Sequence, residues 1–226
     1  MWGTLYNLLK RVGARLWEVP ERGLPQLSPK RSRFDEEWGT ETEKLVWLTN
    51  PSSKNFVHGV RYEACSPGAC RWAIDTSQID YTQFVFVDVG CGKGRPLLIA
   101  SRYPFAHLIG IEYSAQLCRQ AQMNLERASI PAERFTIHCV DAANFDFAHQ
   151  NTFLYLYNPF GPEIMHQVMN NLHRVAQTHS LIIAYEGPRR EQLTSYPWLR
   201  HYRSGPNVSL YIAASERGLP LESEGV

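Results

Sequence analysis

Phe84-Val-Phe-Val-Asp-Val-Gly-Cys-Gly-Lys-Gly94 carries the strongest structural signal in this chain. Apart from Asp88, the residues before the first glycine are aromatic or β-branched, which is typical of a short buried strand. The glycines that follow alternate with other residues and let the backbone approach a ligand closely, because glycine has no Cβ. Pro96 then suits the first turn of a helix. The stretch therefore predicts a strand, a ligand-binding loop and a helix in succession.

Apolar runs separated by helix-like segments continue along the chain after this stretch. They predict further strands at His107–Tyr113, Phe135–Val140, Thr152–Tyr157 and Ser180–Tyr185. Strands that alternate with helices form parallel βαβ units with helices on both faces of the sheet. Two last runs lie close together and predict an antiparallel hairpin: Leu199–Arg203 and Val208–Ala213. The predicted fold class is α/β, with a doubly wound, mostly parallel seven-stranded sheet and an antiparallel C-terminal hairpin.

Polar residues stand at the ends of four successive predicted strands, at Asp88, Glu112, Asp141 and Asn158. In an open parallel sheet, ligands bind outside the carboxyl ends of the strands, so we expect these side chains to line one crevice. A carboxylate at Glu112 can accept two hydrogen bonds from a ribose diol, whereas the alternative is a solvated loop acid. Asp141 could accept a hydrogen bond from an adenine amine or could cap a helix, and both interpretations stay open.

These motifs resemble, in order, the successive motifs of class I S-adenosylmethionine-dependent methyltransferases. The stretches that carry the resemblance are Phe86-Val-Asp-Val-Gly-Cys-Gly-Lys-Gly94, Gly110-Ile-Glu-Tyr-Ser114, Cys139-Val-Asp-Ala142 and Tyr157-Asn-Pro-Phe160. The resemblance covers about residues 60–213. It implies the Rossmann-like methyltransferase fold, S-adenosyl-L-methionine as the cofactor, and direct displacement of the methyl group by the acceptor.

The resemblance also implies a role for individual residues. Asp88 and the loop glycines would hold the methionine part of the cofactor, Glu112 the ribose and Asp141 the adenine. Tyr62 would close the pocket. The full predicted cofactor site is Tyr62, Asp88, Gly90, Cys91, Gly92, Gly94, Glu112, Tyr113, Asp141 and Ala142.

In more detail, the chain is similar to bacterial methyltransferases of unassigned substrate. These carry a similar Phe-Asp-x-x-x-Gly-Thr stretch, here Phe34–Thr40, and a tyrosine before the first strand, here Tyr62. The chain is more distantly similar to lysine methyltransferases that place a tyrosine over the cofactor from that same position.

Asn158, Pro159 and Phe160 are the predicted catalytic residues. They resemble the Asn-Pro-Pro-aromatic turn of amine-modifying methyltransferases, in which the asparagine oxygen accepts a hydrogen bond from the target N–H. The aromatic ring of that turn stacks on the acceptor. Because the second proline is absent here, a strand-to-helix turn capped by Asn158 fits equally well. The resemblance implies an amine nitrogen of a protein or of a small molecule as the acceptor, whereas the alternative turn leaves the acceptor open.

Two other functions are compatible with parts of this pattern. An NAD-dependent oxidoreductase would use Glu112 for a ribose, but the glycines lack the Gly-x-Gly-x-x-Gly spacing of the dinucleotide fingerprint. A non-catalytic protein that retains the methyltransferase fold would be expected to lose Asp88, Glu112 or Asn158, and all three are present.

Composition sets apart a basic N-terminal extension (residues 1–33). The resemblance implies a substrate-cover or lid region (34–83) followed by the methyltransferase domain (84–226). The extension holds seven Lys or Arg residues against two Glu, whereas the rest of the chain is net acidic. A nucleic-acid partner is therefore not expected for the main domain. Residues 1–18 form an apolar stripe at helical spacing, compatible with peripheral membrane contact, although packing on the chain's own domain is favoured. Prolines predict a linker over residues 19–33.

Sequence composition also bears on location and on metal binding. No apolar run reaches the roughly 18 residues that a membrane-spanning helix needs, and the N-terminus lacks the features of a signal peptide, so a cytoplasmic location is expected. An odd number of cysteines, five, in a chain expected to be cytoplasmic argues against a disulfide framework, and Cys65 and Cys70 have no second pair to complete a zinc site. No metal is expected.

Overall fold

A computed structural model describes residues 32–43, 62–147, 150–157 and 160–213. These residues belong to one compact unit that spans residues 31–226. In chain order, the helices and strands are α1 (Arg33–Trp38), α2 (Pro67–Ser77), β1 (Val85–Val89), α3 (Arg95–Ala100), β2 (His107–Glu112), α4 (Ala115–Arg127), β3 (Phe135–Cys139), β4 (Thr152–Tyr157), α5 (Pro162–Ala176), β5 (Leu181–Glu186), β6 (Arg200–Ser204) and β7 (Val208–Ala213).

The strands form one seven-stranded sheet in the order β3-β2-β1-β4-β5-β7-β6. The first five strands pair in parallel, and β7 pairs antiparallel with both β5 and β6. Chain order reverses beside β1, so the ends of β1 and β4 flank the point where ligands bind in sheets of this kind. The predicted fold class is confirmed, including the antiparallel C-terminal hairpin.

Alternation along the strands divides the core between the two faces of the sheet. Phe86, Tyr155 and Ile182 point to the face that α2, α3 and α4 cover. Val87 and Leu154 point to the opposite face, which packs on α5. Because side chains alternate along a strand, Asp88 and Glu112 continue the first face at the carboxyl ends of β1 and β2. The topology thus brings two predicted site residues to the same side of neighbouring strands.

Local sequence signals explain where several elements begin. The side chain of Ser114 accepts a hydrogen bond from the Leu117 N–H and caps α4. Ser66 caps α2 in the same way, and Pro67 occupies its first turn. Neither α1 nor α2 was predicted from the sequence, because α1 is a single short turn and α2 has a weak apolar periodicity.

Some predictions concern residues outside the described part of the chain. These are the helix over residues 1–18 and most of the linker over residues 19–33, whose last residue, Arg33, begins α1. Among the helices that are described, none has both the length and the apolar character needed to cross a membrane.

Candidate active site

The glycine loop between β1 and α3 is held in shape by hydrogen bonds within the loop and to the end of β2. The carbonyl oxygen of Ile111, at the end of β2, accepts the N–H groups of Gly90 and Cys91 at 2.8 and 3.0 Å. The N–H of Gly94 donates to the Cys91 carbonyl at 2.8 Å. Gly90, Gly92 and Gly94 all have positive φ. Only glycine adopts this conformation without strain, so the alternating glycines are a requirement of the turn itself.

Glu112 connects the second strand to this loop. One carboxylate oxygen accepts the Gly92 N–H at 3.1 Å, and the other accepts the Ser114 N–H at 2.9 Å. The side chain is only 5% exposed. Burial raises the pKa of this carboxyl, while the backbone N–H groups of Ser114, Gly92 and Tyr113 act in the opposite direction. Each carboxylate oxygen has a further lone pair, so Glu112 can still accept hydrogen bonds from a ligand.

Asp88 is the second buried carboxylate of the site. It is 2% exposed, and its Oδ2 has no hydrogen-bond partner among the described residues. Burial, and then the charge of Glu112, raise the pKa of Asp88 well above its usual value. A buried carboxylate oxygen without a donor is costly, and a native protein usually provides a reason for it. A cationic ligand group beside Oδ2 would supply both the missing donor and the missing charge.

Tyr62 lies directly against the glycine loop. A Cβ added to Gly92 would come within 2.3 Å of Tyr62 Cε2, and Lys93 Nζ lies 5.3 Å from the centre of the ring. The phenol donates a hydrogen bond to the carbonyl oxygen of Thr42 at 2.5 Å. Burial raises the pKa of the phenol, which keeps it protonated as a donor. The predicted tyrosine is therefore in contact with the loop it was expected to cover.

Asp141 follows β3 and caps a short 3₁₀ helix over Ala142–Asn144. Its Oδ1 accepts the Ala143 N–H at 3.0 Å, so the capping interpretation of this residue is realised. The second carboxylate oxygen of an N-cap aspartate can accept a further hydrogen bond. Ala142 is buried beneath it. Tyr113, at the neighbouring strand end, is half-buried, and its hydroxyl has no partner in the described part of the chain.

Only part of the turn after β4, where the methyl acceptor is expected, lies among the described residues. Asn158 and Pro159 lie outside the described residues. Phe160 packs at the edge of the core beneath α5, whereas Tyr157 packs on the opposite face, the one that carries Asp88. Tyr157 is half-buried at the last position of β4, on the same face of the sheet as Asp88.

Glu186 is a buried polar residue of the crevice that the sequence analysis missed. It is the last residue of β5 and pairs in register with Tyr157 of β4. The Tyr155 hydroxyl donates to its Oε2, and the Ser66 N–H donates to its Oε1 at 3.2 Å. The predicted strand ended one residue earlier, at Tyr185. The rule that polar residues follow strand ends would have identified Glu186 had the strand been extended by that residue.

Comparison with known proteins identifies the type of domain that carries these residues. A family described as a methyltransferase domain matches residues 86–179, which run from β1 to the residue before Ser180. This match confirms the class of enzyme expected from the motifs and favours it over a dinucleotide-dependent oxidoreductase.

Two solved structures share the fold at low sequence identity. One is an RNA methyltransferase from Salinibacter ruber in complex with S-adenosyl-L-homocysteine, which is 17% identical, with 73% of this chain and 97% of that one covered and a TM-score of 0.50. The other is the methyltransferase domain of bacterial CtHen1-C, which is 10% identical, with coverage of 65% and 97% and a TM-score of 0.51.

Proposed function

We propose that this chain, which carries a methyltransferase domain at residues 86–179, transfers a methyl group from S-adenosyl-L-methionine to an amine nitrogen. The observation that carries the proposal is the pair of buried carboxylates at neighbouring strand ends, Asp88 and Glu112, beside a glycine loop that is already formed. The solved Salinibacter ruber enzyme with the same fold contains S-adenosyl-L-homocysteine, which agrees with this choice of cofactor.

The residues present fit the parts of this cofactor. The unpartnered Oδ2 of Asp88 suits the ammonium group of the methionine part, and the free lone pairs of Glu112 suit the two ribose hydroxyls. Asp141, Ala142 and Tyr113 are proposed to contact the adenine, since they occupy the adjacent strand ends. The cofactor, when bound, supplies a methyl group already activated by the sulfonium.

The chain's own contribution is mainly to position the reactants. Tyr62 and the glycine loop enclose one side of the pocket and would exclude water from it. Alignment of the acceptor with the methyl–sulfur axis can supply on the order of 7 kcal/mol in favourable cases. Strong general base catalysis is not required, because an uncharged amine is itself the nucleophile.

The amine acceptor is proposed from the turn that follows β4. Asn158 would accept a hydrogen bond from the amine N–H through its side-chain oxygen, with Pro159 and Phe160 shaping the turn. Tyr157 places an aromatic ring beside this turn on the face of Asp88. The acceptor is a small molecule or a protein side chain, and residues 34–83 are proposed to cover it.

Calorimetry with S-adenosyl-L-homocysteine tests the cofactor assignment. The full chain should bind it, and Glu112→Ala should weaken binding at least about tenfold, because hydrogen bonds to a charged group contribute about 1.5–3 kcal/mol each. Glu133→Ala is the matched control, since Glu133 is an exposed glutamate remote from the loop. No detectable binding by the unmodified chain, with Glu112→Ala no different, would overturn the proposal, as would a larger thermal shift with NAD.

Transfer of a labelled methyl group into fractionated cell extract tests the acceptor. The label should stay in the product under mild base, since N-methyl groups resist hydrolysis, and Asn158→Ala should lower the rate while the affinity for S-adenosyl-L-homocysteine stays within about twofold. Release of the label as methanol would indicate a carboxyl ester and would contradict the amine assignment.

A further inference from the structure

A buried polar cluster outside the crevice joins the N-terminal segment to the glycine loop. At its centre lie two oppositely charged side chains, Asp35 on α1 and Arg95 on α3, each only 3% exposed. Arg95 is the first residue of α3 and directly follows Gly94. Because buried charges are costly unless they are well bonded, two of them next to a ligand-binding loop call for a specific function.

Thr42 lies between these two charges and is fully buried. Its N–H and its hydroxyl both donate to the Asp35 carboxylate, the hydroxyl at 2.6 Å. The same hydroxyl oxygen accepts the Arg95 Nε–H at 2.8 Å. Its carbonyl oxygen accepts the hydroxyl of Tyr62. One residue thus contacts an anion, a cation and the tyrosine that packs on Gly92.

Both charges have further partners that fix their positions. Arg95 donates to the Cys65 carbonyl at 3.1 Å, forms an ion pair with Glu43 at 3.2 Å, and lies 4.9 Å from the centre of the Phe34 ring. Burial raises the pKa of Asp35, but hydrogen bonds from Thr42, Glu43 and Thr40 outweigh it, so the pKa lies below its usual value. Asp35 is therefore ionised at neutral pH.

A second anchor joins the same segment to the glycine loop. Asn124 of α4, fully buried, accepts the Glu41 N–H at 3.1 Å and donates to the Lys93 carbonyl at 3.0 Å. Glu41 is thus connected to the loop through Asn124, while Thr42 is bonded directly to Arg95, the first residue of the helix that follows the loop. These hydrogen bonds fix the position of Thr42, whose carbonyl oxygen accepts the hydroxyl of Tyr62.

We propose that Thr42 is a positioning residue for cofactor binding. It transmits the docking of the Phe34–Glu43 segment onto Arg95 to the ring of Tyr62, and so fixes that ring over the glycine loop. This inference rests on the proposed function, because it assigns the ring a place against bound S-adenosyl-L-methionine. It also gives the Phe-Asp-x-x-x-Gly-Thr stretch a physical role: Asp35 orders the turn that presents Thr42.

A double-mutant cycle with a matched control tests this role. Thr42→Val keeps the side-chain shape but removes the hydroxyl, and with it the hydrogen bonds to Asp35 and from Arg95. It should weaken binding of S-adenosyl-L-homocysteine about three- to tenfold, because Thr42 then holds Tyr62 less firmly. Thr42→Ser keeps the hydroxyl and should restore the affinity to within about twofold. Thr40→Val is the control, since Thr40 is equally buried and its hydroxyl donates to the same Asp35 oxygen at 2.9 Å. It should leave the affinity unchanged even where it lowers the melting temperature.

The Tyr62→Phe background decides whether Thr42 acts through the tyrosine. Without the phenol, Thr42→Val should cause no further loss of affinity. In activity assays of the otherwise unmodified chain, Thr42→Val should raise KM for S-adenosyl-L-methionine more than it lowers kcat. Additive losses in the double variant, or equal losses for Thr40→Val and Thr42→Val, would overturn the inference. Absence of binding by the unmodified chain would instead count against the proposed function, so the two failures are distinguishable.

Discussion

The ring of Tyr62 fills the space that a side chain at residue 92 would need: Tyr62 Cε2 lies 2.3 Å from the position of a Cβ on Gly92. The contact excludes every residue but glycine at the centre of the loop while Tyr62 is in place. Gly92 also has φ of +53°, which side chains rarely adopt.

Gly92→Ala is therefore expected to lower the affinity for S-adenosyl-L-homocysteine at least about tenfold, because either the ring or the loop must move. The double variant Gly92→Ala/Tyr62→Ala removes the contact and leaves only the backbone strain, about 1–2 kcal/mol. Its melting temperature should be no lower than that of Gly92→Ala alone. A double variant that loses the sum of the two single effects would show that the ring and the loop do not compete for this space.

Asp88→Asn should stabilise the free protein and abolish binding of S-adenosyl-L-homocysteine. The pKa of Asp88 is higher in the folded protein than in the unfolded chain, where it is about 3.9. Stability contributed by the protonated carboxyl is therefore fully present only below about pH 3.9, and it is lost as the pH rises through the folded pKa. The neutral amide avoids that loss. At pH 7 we expect a gain of about 0.5–2 kcal/mol, which disappears near pH 4. Chemical denaturation at the two pH values measures it, and an equal effect at both would contradict the assignment of the gain to ionisation.

Tyr155→Phe should destabilise the fold at neutral pH. It removes the hydroxyl that donates to Glu186, a buried carboxylate, and hydrogen bonds to charged groups contribute about 1.5–3 kcal/mol. The loss should shrink toward pH 4, where protonated Glu186 needs one donor fewer. Adding Glu186→Gln should recover most of the loss, because the amide carries no charge to be left unpaired. Urea unfolding of the unmodified chain, Tyr155→Phe and the double variant at both pH values tests these expectations.

Two glycines outside the loop should respond to alanine with opposite signs. On Gly110 a Cβ would lie 2.7 Å from Ile137 Cδ1 and 2.8 Å from Leu97 Cδ1, so Gly110→Ala should cost about 1–3 kcal/mol by overpacking. On Gly68, within α2, a Cβ would meet only Ser66 Oγ at 3.8 Å. Gly68→Ala should therefore stabilise by about 0.4–1 kcal/mol. Thermal unfolding compares them, and destabilisation by both would contradict the packing argument.

The positions of Asp88 and Glu112 could be predicted from the sequence because two simple periodicities determine them. A strand of period two fixes the face, and the parallel topology fixes the edge at which each strand ends. The glycines of the loop were recognisable for a similar local reason, since positive φ demands them.

The buried polar cluster that Thr42 forms with Asp35 and Arg95 could not be predicted in this way. Asp35 and Arg95 are 60 positions apart in the sequence, and no periodic pattern joins a short helical turn to the start of α3. Their partnership depends on how α1 docks on the loop, which is a tertiary contact. Glu186 was missed for a smaller reason, a strand end placed one residue early. Asp141 illustrates the opposite case: capping was one of two interpretations that the sequence left open, the structure shows the cap, and the role of Asp141 toward a ligand stays a prediction.

The self-bonded glycine loop has a consequence for how the enzyme would be controlled. The Ile111 carbonyl and the Glu112 carboxylate both accept hydrogen bonds from the N–H groups of the loop, so we expect binding to carry little cost of ordering it. Under the proposed function, such a loop would contact parts that the methyl donor and the spent product have in common. Both should therefore occupy the pocket with similar strength, and turnover would follow the cellular ratio of donor to product. Enzymes that degrade the product would then set the pace of methylation from outside the protein.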